Sequence, residues 1–217
     1  MVRRKMKKLI ALILGVVMIF SFAACGDGSI DSLPGNMTPP DDSGADAGAD
    51  FGANGKILVA YFSKTNTTES VAKEIRSLTG ADIFEIERKE PYPNEYTPTT
   101  EVAKAEKEKD SRPELKTYLS KEEIAEYDVI FLGFPIWWGT APMPVLSFLN
   151  AYDLSGKTIY TFCTAASSPI SGSTADIRSN AGGATVIEGK RFTRNDTDGI
   201  RTWVKSLNFA TSPAGAE

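Results

Sequence analysis

The run Ser63-Lys64-Thr65-Asn66-Thr67-Thr68 puts four hydroxyls and one side-chain amide into six consecutive residues. No histidine and no carboxylate stands among them, so the run is not built for acid–base work. Neutral hydrogen-bonding groups suit a compact anion. With Lys64 as the lone base, they suit one terminal phosphate better than a triphosphate, which would ask for a P-loop lysine and Mg²⁺. A plainer reading makes Asn66 and Glu69 a helix-capping pattern. Capping needs one or two polar residues, and here five of six are available.

Two later stretches could share that site. "PIWWGTAP", residues 135–142, sets Trp137 and Trp138 side by side in a loop bounded by Pro and Gly. An exposed indole offers a face to a flat aromatic partner. Adjacent residues of an extended segment point opposite ways, so one indole can pack inward while the other faces out. "TAASSPISGS", residues 164–173, offers small side chains and backbone amides to the heteroatoms of a ring edge. Together the three stretches describe a flat, phosphorylated heteroaromatic ligand. The chain has no histidine, which removes Ser-His-Asp chemistry, histidine metal sites and the usual proton shuttle. No residue is singled out as a catalytic acid or base, and none as a metal ligand.

Something must bring these stretches to one edge. Apolar runs and helical patterns alternate along the chain. "KILVAYF", "ADIFEIE", "YDVIFLGFP", "KTIYTFCT" and "ATVIEG" read as strands, the longest of them apolar on both faces, as in a buried parallel sheet. "TTESVAKEIRSLTG" places Val71, Ile75 and Leu78 on one helical face and closes on Gly80. "APMPVLSFLNAY" is expected to be helical with Pro142 in its first turn, and "SGSTADIRSNAGG" to close on Gly182 and Gly183. "DGIRTWVKSL" gathers Ile200, Trp203, Val204 and Leu207 on one face. Strand then helix, five times over, predicts a doubly wound α/β three-layer sandwich around a five-stranded parallel sheet. In such a sheet, ligands sit beyond the carboxyl ends of the strands. Residues 63–68, 135–142 and 164–173 all leave strands at that edge, and the first also enters a helix at its electropositive amino end.

The ends of the chain speak to location. Residues 1–24 hold five basic residues, an apolar run and then small residues, the pattern of a secretory signal peptide. The apolar run is shorter than the roughly 20 residues of a membrane span, although an uncleaved anchor is the alternative. "FAAC" resembles a bacterial lipoprotein cleavage site, with Cys25 as the lipidated first residue of the mature chain. Residues 26–55 are rich in Gly, Pro, Ser, Ala and Asp and read as a disordered acidic linker. They would reach on the order of 30 Å as a random coil. Residues 56–210 form the domain, and 211–217 are expected to be a disordered tail. The formal net charge is -4. It becomes -9 once Arg3, Arg4, Lys5, Lys7 and Lys8 are cleaved away, which argues against nucleic-acid binding. With Cys25 lipidated, Cys163 has no partner for a disulfide. Its place in an apolar run marks it as a core residue.

"YFSKTNTTESVA", "GFPIWWGTAPMPVLSFL" and "FCTAASSPISGS", in this order and spacing, resemble the flavodoxin-like family, above all its exported single-domain bacterial members. The resemblance runs from about Lys56 to Leu207. It implies non-covalent FMN and electron transfer through it. Carried over by position, the phosphate loop is Ser63, Thr65, Asn66, Thr67 and Thr68. The first ring-flanking loop is Pro135, Ile136, Trp137, Trp138 and Gly139, and the second is Thr164, Ala165, Ala166, Ser167 and Ser168. Two departures stand out. In the phosphate loop, Asn66 occupies a place where the family usually has Gly and Thr67 one where it usually has Asn; Asn tolerates positive φ better than most residues, and Thr keeps a hydroxyl. "AASS" stands where related members tend to carry glycines.

The resemblance implies an FMN electron carrier or small FMN-dependent reductase, anchored by lipid to the outer face of a bacterial membrane. Its electrons would come from a redox partner protein or a nicotinamide donor. A binding module that keeps the fold without redox activity, and a solute-binding lipoprotein, are the alternatives.

Overall fold

The computed structural model describes residues 55–207. The expected signal peptide, Cys25, nearly all of the linker and the tail lie outside the described residues. Five strands form one parallel sheet: β1 (Lys56–Tyr61), β2 (Asp82–Glu85), β3 (Tyr127–Pro135), β4 (Thr158–Thr164) and β5 (Thr185–Phe192), in the order β2-β1-β3-β4-β5. Six helices surround it: α1 (Thr67–Thr79), α2 (Tyr96–Glu108), α3 (Lys121–Ala125), α4 (Met143–Asn150), α5 (Ser171–Asn180) and α6 (Thr197–Ser206). This is the expected doubly wound three-layer arrangement.

The period of two along each strand divides the core. Leu58, Ala60, Ile130, Leu132, Phe134, Ile159 and Cys163 face one side, with α2, α3, α4 and α5. Val59, Tyr61, Val129, Phe131, Tyr160 and Phe162 face the other, with α1 and α6. Burial on both faces explains why the central strands read as unbroken apolar runs. Gly133 is needed at the centre, because a Cβ there would lie 2.1 Å from the Phe162 ring. Cys163 is fully buried, and burial pushes its thiol pKa up to about 12.

Three details differ from the sequence reading. Pro142 is the N-cap of α4, and Pro144 is the proline inside its first turn. β5 runs on to Phe192, beyond the apolar part of its sequence. Helices α2 and α3 occupy a stretch to which the sequence patterns assign no element.

Among the described residues no helix is long and apolar enough to cross a membrane.

Candidate functional site

The carboxyl edge of the sheet carries three loops, after β1, β3 and β4. The first turns through Asn66, whose backbone is left-handed (φ 60°, ψ 6°), directly into α1. The Asn66 side chain does not cap the helix, and Glu69 pairs with Lys73 instead. The capping explanation for this run therefore fails. The first bond of α1 is Ser70 N–H to the Asn66 carbonyl, 3.1 Å. Among the described residues, the N–H groups of Asn66, Thr67, Thr68 and Glu69 find no protein acceptor. Four such donors at the positive end of a helix form a cradle for an anion.

The hydroxyls around the cradle have separate tasks. Thr65 and Thr67 lie 3.4 Å apart and exposed. Thr68 is buried and shares a 2.7 Å hydrogen bond with Thr164 at the end of β4. The Ser70 hydroxyl donates back to the Asn66 carbonyl.

Beside the cradle lies a cavity of about 570 Å³. Thr65, Thr68 and Thr164 line its polar end, and Pro135, Ile136, Trp137 and Trp138 line its apolar side. Its remaining wall comes from Lys64, from the segment ahead of α2 and from α2 itself: Asn94, Tyr96, Thr99, Thr100 and Ala103. Sequence reasoning missed this wall. The "YTPTT" start of α2, with a proline in the first turn, was the available signal.

The two tryptophans part ways. Trp137 packs edge-on against Phe62 (5.3 Å between ring centres) and Tyr92 (5.1 Å). Tyr92 is fixed from behind. Its hydroxyl donates to Glu106, whose other oxygen is 3.0 Å from Arg88 Nε. That approach is electrostatic rather than a well-aligned hydrogen bond. Burial, and next the bond to the Glu106 carboxylate, hold the Tyr92 hydroxyl well above its ordinary pKa. Trp138 is 50% exposed. It stands at φ 52°, followed by Gly139 at φ 80°. Trp137 and Thr140 close the turn with paired backbone bonds of 2.9 and 3.1 Å. Positive φ at both central residues is the mark of a type I′ turn, which favours Asn and Gly. A tryptophan there costs about 1–2 kcal/mol. The backbone is held by Lys107, which donates to the Trp138 carbonyl, and by the Trp138 indole N–H, which donates to the Thr100 carbonyl at 3.1 Å. Strained residues of this kind cluster at functional sites, and this one lies at the rim of the cavity.

The third loop is placed differently. Ala165, Ala166, Ser167 and Ser168 lie beside the cavity without lining it, as do Ser63 and Gly139. Residues 166–168 are exposed. Arg191 of β5 holds the loop by donating to the carbonyls of Ala165 (3.2 Å) and Ala166 (2.8 Å). Among the described residues the N–H groups of Ala166, Ser167 and Ser168 have no protein acceptor.

Comparison with known proteins agrees with this picture. A family model described as Flavodoxin matches residues 56–207, and the chain belongs to the flavodoxin family. A protein of Bacteroides uniformis assigned as a flavoprotein is 32% identical, with a TM-score of 0.62, over 70% of this chain and 98% of that one. A second, from Bacteroides eggerthii, is 34% identical with a TM-score of 0.61, over 71% and 98%. A Lactobacillus acidophilus flavoprotein solved with FMN shares the fold at 22% identity and a TM-score of 0.56, over 69% and 99%. No curated protein matches the chain.

Proposed function

We propose that this domain binds FMN non-covalently and serves as an electron-transfer protein or small flavin reductase on the outer face of a bacterial membrane, held there by lipid on Cys25. The observation that carries the reading is the cradle: four consecutive amide donors without acceptors, reached through a left-handed Asn66 that does not cap its helix. Family membership points the same way. The residues present fit the cofactor. Thr65, Asn66, Thr67 and the α1 amides would hold the phosphate. Trp138, Ile136 and Pro135 would flank the ring, and the free amides of residues 166–168 would meet its polar edge. When bound, FMN supplies the redox chemistry, accepting and passing one or two electrons. The chain's own part is to bind, orient and shield the cofactor from water. Its partner would be a redox protein or a nicotinamide donor.

Titration of the purified domain with FMN and with riboflavin tests this. The cradle predicts clear preference for FMN; equal affinities would overturn it. Anchoring is tested by lipid labelling in a bacterial host. Wild type should incorporate label and Cys25→Ala should not, since the substitution removes the thiol that would carry the lipid. An unlabelled wild type would refute the anchor.

A further inference from the structure

The phosphate loop is charge-poor, yet a cation reaches it from the loop after β5, at the same edge of the sheet. Arg194, in the connection between β5 and α6, places Nη2 3.3 Å from the Thr67 hydroxyl. Its guanidinium helps to line a second, polar cavity of about 410 Å³ that shares Thr65, Asn66 and Thr67 with the cradle. Arg194 is exposed, and among the described residues no carboxylate lies within ion-pairing distance of it. The acids nearby are engaged elsewhere: Glu74 with Arg201 at 3.0 Å, and Asp196 as the cap of α6, accepting from Gly199 N–H. The other base of the region, Lys64, lines the first cavity but sends its ammonium to the Tyr92 carbonyl, 3.2 Å. A phosphate monoester carries close to two negative charges at neutral pH. A helix end supplies about half a charge in return.

We infer that Arg194 is a phosphate-binding residue of this site, the cation that offsets the charge a neutral loop leaves uncompensated, and so a determinant of selectivity for phosphorylated flavin. The inference rests on the FMN reading. It places a long-range residue, 127 positions from Thr67, in a site otherwise built from one local loop. It also assigns a role to the left-handed Asn195 beside it (φ 67°), which turns the chain so that Arg194 faces α1.

The test is equilibrium binding of FMN and riboflavin to wild type, Arg194→Gln and Arg194→Lys at low and high salt. A charge-assisted contact at an exposed site predicts roughly a tenfold loss of FMN affinity in Arg194→Gln. Riboflavin affinity should not change, and most of the FMN affinity should return in Arg194→Lys. The salt dependence of FMN binding should also shrink in Arg194→Gln, because exposed charge pairs are screened. Unchanged FMN affinity in Arg194→Gln, beside a wild type that prefers FMN, would overturn the role of Arg194 and leave the cradle standing. Equal losses for FMN and riboflavin would overturn it too, by making Arg194 a prop for the loop. A wild type that binds neither flavin would end both readings. Unfolding midpoints of the three proteins should coincide, since Arg194 is exposed and forms no ion pair among the described residues.

Discussion

The loops after β3 and β4 leave neighbouring strands at the same edge, yet they are held in opposite ways. The first is built by packing. Trp137 is wedged between Phe62 and Tyr92, the turn is closed by paired backbone bonds, and Lys107 and Thr100 fix Trp138 from outside. The second has almost no packing. Its residues 166–168 are exposed, and a single guanidinium, Arg191, gathers two of its carbonyls. A wall must keep its shape without a ligand, whereas a strip of amide donors need only be aimed. The first task calls for buried rings and tolerates strain; the second needs a charged clamp.

The largest effect should come from breaking the packed loop. Trp137→Ala should lower stability by about 3 kcal/mol, at the low end for a tryptophan because the residue is only half-buried. Chemical denaturation would read this. Trp138→Ala should leave stability within about 1 kcal/mol and instead weaken FMN binding by roughly 5- to 150-fold, by analogy with base–aromatic stacks. Trp138→Gly sharpens the point. It should lose the same affinity while gaining about 1 kcal/mol of stability, as a left-handed tryptophan is relieved. If Trp138→Gly were no more stable than Trp138→Ala, the strain argument would be wrong.

A smaller effect is expected from the clamp. Arg191→Ala removes two hydrogen bonds from an exposed loop and should cost about 0.5–1 kcal/mol. FMN and riboflavin should lose affinity together, by roughly two- to fivefold, because this loop would face the ring rather than the phosphate. A loss confined to FMN would contradict that assignment. The smallest expected effect is none. Cys163 is the last residue but one of β4, next to the exposed loop, but it is fully buried with a thiol pKa pushed up to about 12. Below pH 9 a thiol reagent should therefore not label the folded protein, and labelling should appear only on unfolding.

The sheet and the cradle were legible because burial wrote them plainly. β3 and β4 are apolar on both faces, and the polar run 63–68 interrupts an apolar-to-amphipathic junction. The wall made by α2 was not legible. That helix buries Thr99, Ala103 and Glu106 rather than a stripe of large apolar residues. Glu106 is buried because Arg88 and Tyr92 answer its charge, and no sequence period announces such a partnership. The end of β5 was hidden for a related reason. It is an edge strand, where Lys190 and Arg191 can stand exposed, as edge strands commonly allow. Trp138 as a left-handed turn residue runs against the local preference of the chain, and Arg194 reaches its loop only through the tertiary fold.

The Thr68–Thr164 pair has a consequence beyond joining two loops. Either hydroxyl can be the donor across the 2.7 Å contact, but one hydrogen bridges the oxygens while the other is left to point elsewhere. Rotating both hydroxyls reverses the direction. The spare donor then passes from the β4 side of the cavity to the α1 side while no heavy atom moves. The floor of the cavity is therefore a two-position rotor. An occupant that changes its hydrogen-bonding demand can be followed by a turn of two O–H bonds, at no cost in backbone rearrangement.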